Sequence, residues 1–190
     1  MTVSNTIHLK NKIIPEIIIN EVGTALSYYP ELANTNIEFK MKPSLNKSFM
    51  KAQPKLSSFF KSKGKREYII LISQTFDIDG IRLPLSDIPK DILIGWLGHE
   101  LGHIMDYKNR SNFNLIGFGI RYFFSQNYIR EAERLADTYA ITHGMEKYIL
   151  VTKRFILNNG SLPQIYKDRI KRLYLSPDEI LLLVKELESK

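Results

Sequence analysis

The chain has 190 residues, of which 44% are hydrophobic and 25% are charged, and its formal net charge is +7 at pH 7. The composition is that of an ordinary globular protein, and the length suits one domain or one domain with a helical extension. The sequence contains no cysteine, which excludes disulfides and thiolate metal ligands.

The first part of the chain contains helical and strand patterns. Apolar residues at helical spacing predict a first helix over 11–28. Alternating apolar and polar residues predict a half-buried strand over 36–41, and the apolar, β-branched run over 68–72 predicts a buried strand. Between these two strands Pro43, Pro54 and Gly64 predict loops or a short helix.

The segment between the two predicted strands is strongly basic. From Pro43 to Arg66 it contains no acidic residue and seven basic ones: Lys47, Lys51, Lys55, Lys61, Lys63, Lys65 and Arg66. Such a segment is either a solvated loop or a contact for anions, such as lipid headgroups or nucleic acid. No nucleic-acid motif accompanies it, so we favour the loop and expect, at most, a peripheral membrane contact.

Helical patterns dominate the second part of the chain. A turn-rich connector over 77–85, which contains Asp79-Gly80, precedes a helix that begins near Ser86 or Asp87 and reaches Tyr107. A second long helix is predicted from residue 127 or 128 to 142, ended by Gly144. Further helices are predicted over 146–157, 162–173 and 177–188, the last one capped by Ser176.

This order of elements predicts one α+β domain over 1–190, in which a small sheet packs on a helical body. Residues 30–107 supply the sheet and the first long helix, and residues 127–190 supply the second long helix and the C-terminal helices. The first ten residues lack the pattern of a secretory signal, and no apolar run approaches the roughly 18 residues that span a bilayer. We therefore expect a cytoplasmic protein.

The first long helix contains an HExxH motif, formed by His99, Glu100 and His103. Each helical residue advances the chain by roughly 100°, so the two histidines lie on one face, one turn apart. Both imidazoles can then bind one zinc ion, while Glu100 lies beside them and can act as general base. The alternative is a pair of buried, hydrogen-bonded core histidines, which the neighbouring glutamate makes less plausible.

A third metal ligand is expected downstream of the motif. A zinc peptidase of the metzincin class would have glycine at 106 and histidine or aspartate at 109. This chain has Asp106 and Asn109, so the metzincin class is excluded. On the second long helix Glu133 is the favoured ligand, and Asp137, on the same face, can fix the tautomer of a ligating histidine. Glu131 is the competing ligand, but it lies roughly 160° around the helix from Glu133.

Together, HELGH at 99–103 and ERLADTYA at 133–140 resemble the gluzincin clan of zinc metallopeptidases. The Glu-x-x-Ala-Asp form is similar to the CAAX prenyl proteases, the heat-shock-protein-X peptidases and other short minigluzincins. The resemblance covers residues 96–140. It implies a zincin-like (minigluzincin) fold in which a small mixed sheet packs on the active-site helix and further helices follow. It also implies that the strand over 68–72 forms the edge along which a peptide substrate lies.

The resemblance implies a zinc-dependent endopeptidase that hydrolyses peptide or protein substrates through a zinc-activated water. His99, His103 and Glu133 would bind Zn²⁺, Glu100 would be the general base and Asp137 would support a ligand. An oxyanion donor is also expected. His143 is the candidate that we single out, with Tyr166, Arg169 and Tyr174 as alternatives.

A second hypothesis is a non-catalytic or latent module that keeps the zincin fold. Such a module would contact nucleic acid or membrane through the basic segment over 47–66. Salt-dependent binding to an anionic surface would distinguish it from a peptidase.

Overall fold

The structure is a computed structural model that describes residues 6–45, 48–78 and 81–189. Its strands are β1 (Thr6–Leu9), β2 (Lys12–Pro15), β3 (Asn36–Lys42), β4 (Met50–Pro54), β5 (Glu67–Ser73), β6 (Thr75–Ile78) and β7 (Ile81–Pro84). Its helices are α1 (Ile19–Ser27), α2 (Lys90–Asn109), α3 (Asn112–Phe124), α4 (Gln126–Thr142), α5 (Glu146–Asn158), α6 (Gln164–Leu173) and α7 (Pro177–Glu188). The α+β class predicted from the sequence is therefore confirmed.

Five of the described strands form one mixed sheet in the order β1-β2-β3-β5-β4. Strands β2, β3 and β5 are parallel, whereas β1 and β4 run antiparallel to their neighbours. The predicted strand over 68–72 is present as β5, but the expectation that it forms the open edge is wrong. Strand β4, which comes from the basic segment, pairs with its outer side and forms the edge itself.

The predicted first helix over 11–28 is only partly correct. Its first residues form β2, and Asn11 has a φ of 62° in the turn between β1 and β2. Asparagine tolerates this left-handed conformation better than most residues. Pro15 is the last residue of this strand; it has no N–H to donate, and it favours extended over helical backbone in the residue before it. Helix α1 begins only at Ile19.

Two elements of the second part differ from the prediction. The connector over 77–85 contributes to an antiparallel hairpin of β6 and β7, and its Asp79-Gly80 pair lies outside the described residues. Helix α3 lies in the apolar stretch after α2, where Ser111 caps it by accepting a hydrogen bond from the N–H of Asn114. The capping of α7 by Ser176 is confirmed, with Glu179 completing a capping box.

Helix α2 is the centre of the domain. Every residue from Ile92 to Tyr107 is buried, because α1, α4, α5 and the edge strand β4 pack around the helix. Among the described residues, no helix combines the length and the apolar character that crossing a bilayer requires.

The basic segment is largely built into the fold. Arg66 is only 3% exposed, and its guanidinium donates to the carbonyl oxygens of Tyr107 and Arg110 at the C-terminal end of α2. Three lysines also have partners: Lys55 pairs with Glu38, Lys61 with Glu67, and Lys63 donates to the carbonyl oxygen of Asn109. Lys51 and Lys65 are exposed, whereas Lys47 lies outside the described residues. Most of the described cations therefore serve intramolecular contacts.

Candidate metal centre

Small residues bring α4 unusually close to α2. A Cβ atom placed on Gly102 would lie 2.4 Å from the carbonyl oxygen of Ala136, so only glycine fits at this crossing. Ala132, Ala136 and Ala140 give α4 a buried face without bulky side chains. This close approach lets a carboxylate on α4 reach the imidazoles on α2.

The three predicted ligands converge where these helices cross. Oε2 of Glu133 lies 3.0 Å from Nε2 of His99 and 3.3 Å from Nε2 of His103. One donor atom from each residue lies within 4.8 Å of the other two, and all three residues are buried. The competing ligand Glu131 is exposed to solvent. The structure thus assembles a group that can hold a metal ion.

The hydrogen bonding of His99 fits a cation at this point. Its Nδ1 lies 2.9 Å from Oδ1 of Asp137, and a carboxylate can only accept a hydrogen bond. In neutral His99 the proton therefore sits on Nδ1, and the lone pair of Nε2 faces the acceptor oxygen of Glu133. Two acceptors at 3.0 Å need a proton or a metal ion between them.

The pKa values of His99 and Glu133 in the metal-free protein also favour a proton between the two side chains. Burial lowers the pKa of His99, but its hydrogen bonds with Asp137 and Glu133 outweigh burial and raise the pKa to about 10. Burial raises the pKa of Glu133, yet His103 and His99 hold it well below its usual value. A protonated His99 and an ionised Glu133 therefore form a buried ion pair, in which a divalent cation bound by both side chains would replace the proton of His99.

A buried lysine stands behind this pair. Asp137 is fully buried, and Nζ of Lys153 lies 2.9 Å and 3.1 Å from its two oxygens. Oδ2 of Asp137 also accepts the N–H of Leu175 at 3.1 Å. Burial raises the pKa of Asp137, but Lys153 and His99 lower it further than burial raises it. Asp137 is therefore held as a carboxylate that orients His99, as the sequence predicts.

Glu100 lies between the metal centre and the edge of the sheet. Its Oε2 accepts the backbone N–H of Ala52 on β4 at 2.6 Å. Burial raises its pKa, although His103 and His99 oppose this effect. The phenol of Tyr107 donates to the carbonyl oxygen of Ala52 at 3.4 Å. The candidate base is thus fixed in place by the strand that borders the site.

Tyr122 on α3 contacts the third ligand. Its hydroxyl donates to Oε1 of Glu133 at 2.5 Å, which leaves Oε2 directed at the two histidines. Burial and the charge of Glu133 raise the pKa of Tyr122, so it remains a donor. The sequence shows Tyr122 only as one aromatic in an apolar stretch, and no spacing rule links it to Glu133. Likewise, no spacing rule links Lys153 to Asp137, so its role was not predicted from the sequence.

His143 is not part of this centre. It follows the last residue of α4, where its Nδ1 lies 2.7 Å from the carbonyl oxygen of Tyr139 and its Nε2 lies 3.4 Å from Glu31. Ten helical residues separate it from Glu133, which corresponds to roughly 15 Å along the axis. His143 is therefore too far along the helix to act as the oxyanion donor that we predicted. Tyr174 is better placed, with its ring centroid 5.4 Å from that of His99.

A cleft of about 500 Å³ opens onto Glu100, His103 and Glu133. Strand β4 forms one side of the cleft, and helix α3 forms the other. Apolar and aromatic side chains supply most of its wall: Pro54, Leu56, Tyr107, Leu115, Phe118 and Tyr122. The cleft is large enough for several residues of an extended peptide.

Comparison with known proteins finds no matching family model, no matching curated protein and no matching solved structure. The interpretation of the site therefore depends on the geometry described above.

Proposed function

We propose that this protein is a zinc-dependent metallopeptidase of the gluzincin type with a zincin-like fold. The convergence of His99, His103 and Glu133 at one buried point is the observation that carries the proposal. Two imidazoles and one carboxylate are a common ligand set for catalytic zinc, and they leave a position open for water or substrate. The HExxH motif places Glu100 beside that point, as a hydrolytic site requires.

Each of these side chains would have its own role in hydrolysis. A bound zinc ion would supply a Lewis acid that polarises the scissile carbonyl and makes water a better nucleophile. Glu100 would accept the proton of the attacking water on its carboxylate and deliver it to the leaving amine. Asp137 keeps Nε2 of His99 directed at the site, and Tyr122 holds Glu133 in its ligating orientation.

The position of strand β4 at the cleft favours a peptide substrate over a small-molecule substrate. It is the edge of the sheet and borders the cleft along its length. An extended peptide can add to such an edge through main-chain hydrogen bonds. The N–H of Ala52, now bonded to Glu100, is one group that a bound peptide could engage.

The proposal is tested by comparing the wild type with Glu100→Gln and Glu131→Gln, each with zinc, on unfolded casein. We expect Glu100→Gln to lose at least about 100-fold in kcat/KM, because it removes the base, and to retain zinc binding. The exposed Glu131→Gln should behave like the wild type. Equal cleavage by the wild type and Glu100→Gln, or no zinc-dependent cleavage by either, would refute the proposal.

The alternative of a non-catalytic module that contacts nucleic acid or membrane has less support. Four described cations of the basic segment, namely Lys55, Lys61, Lys63 and Arg66, are bonded within the fold. A module that does not catalyse a reaction would also not require the Glu100 carboxylate beside the candidate metal ligands. The compartment in which the protein acts stays a prediction from sequence.

A further inference from the structure

The five-stranded sheet has an outer face that points away from the core. On β5 the side chains of Tyr68, Ile70 and Ile72 are buried in the core. Ile69 and Leu71, which alternate with them, are only partly buried. Successive side chains of a strand point to opposite faces of the sheet, so Ile69 and Leu71 lie on the outer face. Their partners on β3 and β4 extend this face across three strands.

Three lysines lie close together on the outer face. Lys40 on β3 and Lys51 on β4 both pair with Leu71, one on each side of β5. Lys42 lies two residues after Lys40 and therefore on the same face. Lys40 and Lys51 are exposed, and Lys42 is partly exposed. Within the described ranges of the chain, no carboxylate pairs with any of these three ammonium groups, which we call the lysine cluster.

The charges at the other end of the outer face are balanced. Glu38 on β3 pairs with Lys55, and Glu67 on β5 pairs with Lys61. The positive charge of the lysine cluster, in contrast, is not compensated by a described neighbour. A concentrated patch of one sign attracts a partner of the opposite sign and raises its local concentration. The lysine cluster therefore fits an anionic partner.

The spacing of the lysine cluster suits an extended acidic peptide. Alternate side chains of a strand are about 6.6 Å apart, which is the spacing of Lys40 and Lys42 and also that of alternate carboxylates in an extended chain. The described outward residues of β3, β4 and β5 include no arginine, phenylalanine, tyrosine or tryptophan, on which the bases of single-stranded nucleic acid stack. A planar anionic membrane would also meet the carboxylates of Glu38 and Glu67, which a single chain avoids.

Strand β4 connects the outer face to the cleft. Lys51 and Gln53 lie on the outer face by register, and both also line the cleft. Neighbouring strands are about 4.8 Å apart, so Lys40 lies about 10 Å from Lys51 across the sheet. About three or four residues of extended chain cover this distance. A segment next to the part of a substrate that occupies the cleft can therefore reach the lysine cluster.

We propose that the lysine cluster is a docking surface for an acidic, extended segment of the protein substrate, outside the cleft that holds the cleaved part. The inference rests on the proposed peptidase function and adds a second contact with the substrate. Carboxylates of the segment pair with the three exposed ammonium groups, so salt weakens the attraction. Docking raises the effective concentration of the cleavable part at the metal centre, and it therefore lowers KM and leaves kcat unchanged.

The test uses one octapeptide from a casein sequence that the protein cleaves. A Gly-Ser linker joins it, at either end, to a tail of six glutamates, six lysines or a neutral Gly-Ser repeat. The cluster variant is Lys40→Gln/Lys42→Gln, and Lys51 stays unchanged because it lines the cleft. The control variant, Lys147→Gln/Lys185→Gln, removes the same charge from exposed positions on α5 and α7. All four positions are at the surface, so both variants are expected to fold.

At low salt the wild type should cleave the glutamate-tailed peptide at least about fivefold better, in kcat/KM, than the neutral one, through a lower KM. The advantage should fall below about twofold in about 0.5 M salt. The cluster variant should lose the advantage, whereas the control variant and Lys40→Arg/Lys42→Arg should keep it. No advantage in the wild type, or an equal loss in the cluster and control variants, would overturn the inference.

A binding measurement separates this inference from the proposed function. The glutamate tail alone, labelled with fluorescein, would be titrated with metal-free protein, so that zinc cannot bind its carboxylates, and followed by anisotropy. Binding that the cluster variant loses, without cleavage of any peptide, would support the docking surface and refute the peptidase. Cleavage without tail binding would refute the docking surface and support the peptidase. Tighter binding of duplex DNA or of phosphatidylserine vesicles, lost in the same variant, would overturn the assignment to an acidic peptide.

Discussion

His99 lies between two carboxylates, and this placement would couple the binding of a metal ion to the release of a proton. Its Nδ1 faces Asp137 and its Nε2 faces Glu133, at 2.9 Å and 3.0 Å. The pKa of His99 is raised from its usual value of 6.5 to about 10, so the metal-free protein carries this proton at pH 7. A metal ion that binds Nε2 must displace it.

We therefore predict that binding of one zinc ion at pH 7 releases about one proton from His99. Because the proton is bound below a pKa of about 10, the apparent affinity should rise by about tenfold per pH unit between pH 7 and 9. Calorimetry in two buffers of different ionisation enthalpy measures the number of protons. The variant His143→Gln, changed outside the centre, should release the same number, and binding without proton release would contradict this account.

Lys153 compensates the negative charge of Asp137 in a buried setting. Its ammonium also lies 4.1 Å from the centre of the Tyr174 ring, so carboxylate and aromatic face surround it. Removal of one partner of a buried ion pair leaves an uncompensated charge. The pair therefore supports the orientation of His99 as well as the stability of the fold.

The variant Lys153→Met, which keeps an unbranched side chain and removes the ammonium, should lower the free energy of unfolding of the metal-free protein by about 3–5 kcal/mol. Urea denaturation at pH 7 measures the difference. The exposed Lys185→Met should change it by less than about 0.5 kcal/mol. A loss below about 1 kcal/mol for Lys153→Met would show that the ammonium does not compensate Asp137.

At the scale of elements, the distance between α2 and α4 sets the geometry of the metal centre. Gly102 meets the backbone of Ala136, which cannot move away as a side chain can. The two residues lie beside His103 and Asp137 in sequence. A wider separation of the helices would therefore pull Glu133 away from both imidazoles.

The variant Gly102→Ala should destabilise the protein by about 1–3 kcal/mol through overpacking and weaken zinc binding at least about tenfold. Gly23→Ala is the matched control, because a Cβ atom on Gly23 of α1 has no described heavy atom within 4 Å outside its own turn. There the better helix propensity of alanine should stabilise the protein by about 0.5–1 kcal/mol. Urea denaturation and chelator competition measure both effects. Unchanged zinc affinity in Gly102→Ala would show that the crossing does not set the site.

Elements with local signals were predictable from sequence. Helices α2, α4 and α7 carry long periodic patterns or clear caps, and their predicted ends lie within a few residues of the observed ones. Strand β4 has no such signal, since it pairs with residues of β5 that lie 14 to 22 positions further along the chain. The 11–28 region was misread because helical spacing extended across Pro15, beyond which the chain is helical and before which it is a strand.

In the candidate metal centre, too, some residues were predictable from the sequence and others were not. The spacings within 99–103 and 133–137 predict which side chains share a helix face, so the group of His99, His103 and Glu133 was predictable. Lys153 and Tyr122 approach it from α5 and α3, and only the tertiary fold brings them there. His143 was misplaced because its position in the sequence, ten residues after Glu133, corresponds to roughly 15 Å along a helix axis.

For the whole molecule, a metal ion bound by His99, His103 and Glu133 would link α2 to α4 at the centre of the fold. A ligand that binds only the folded state stabilises it in proportion to the logarithm of its concentration above Kd. We predict that saturating zinc raises the Tm of the wild type by several degrees and that chelation reverses the shift. Glu133→Gln should lose most of this response, whereas Glu131→Gln should keep it. A zinc response that is equal in both variants would place the ion elsewhere.

The most direct test of the account is anomalous diffraction at the zinc absorption edge from a crystal grown with zinc. We predict the strongest peak between Nε2 of His99, Nε2 of His103 and the carboxylate of Glu133, about 2.0–2.2 Å from each donor atom. A Glu133 side chain turned away from both histidines, or zinc bound only at other residues, would contradict the account.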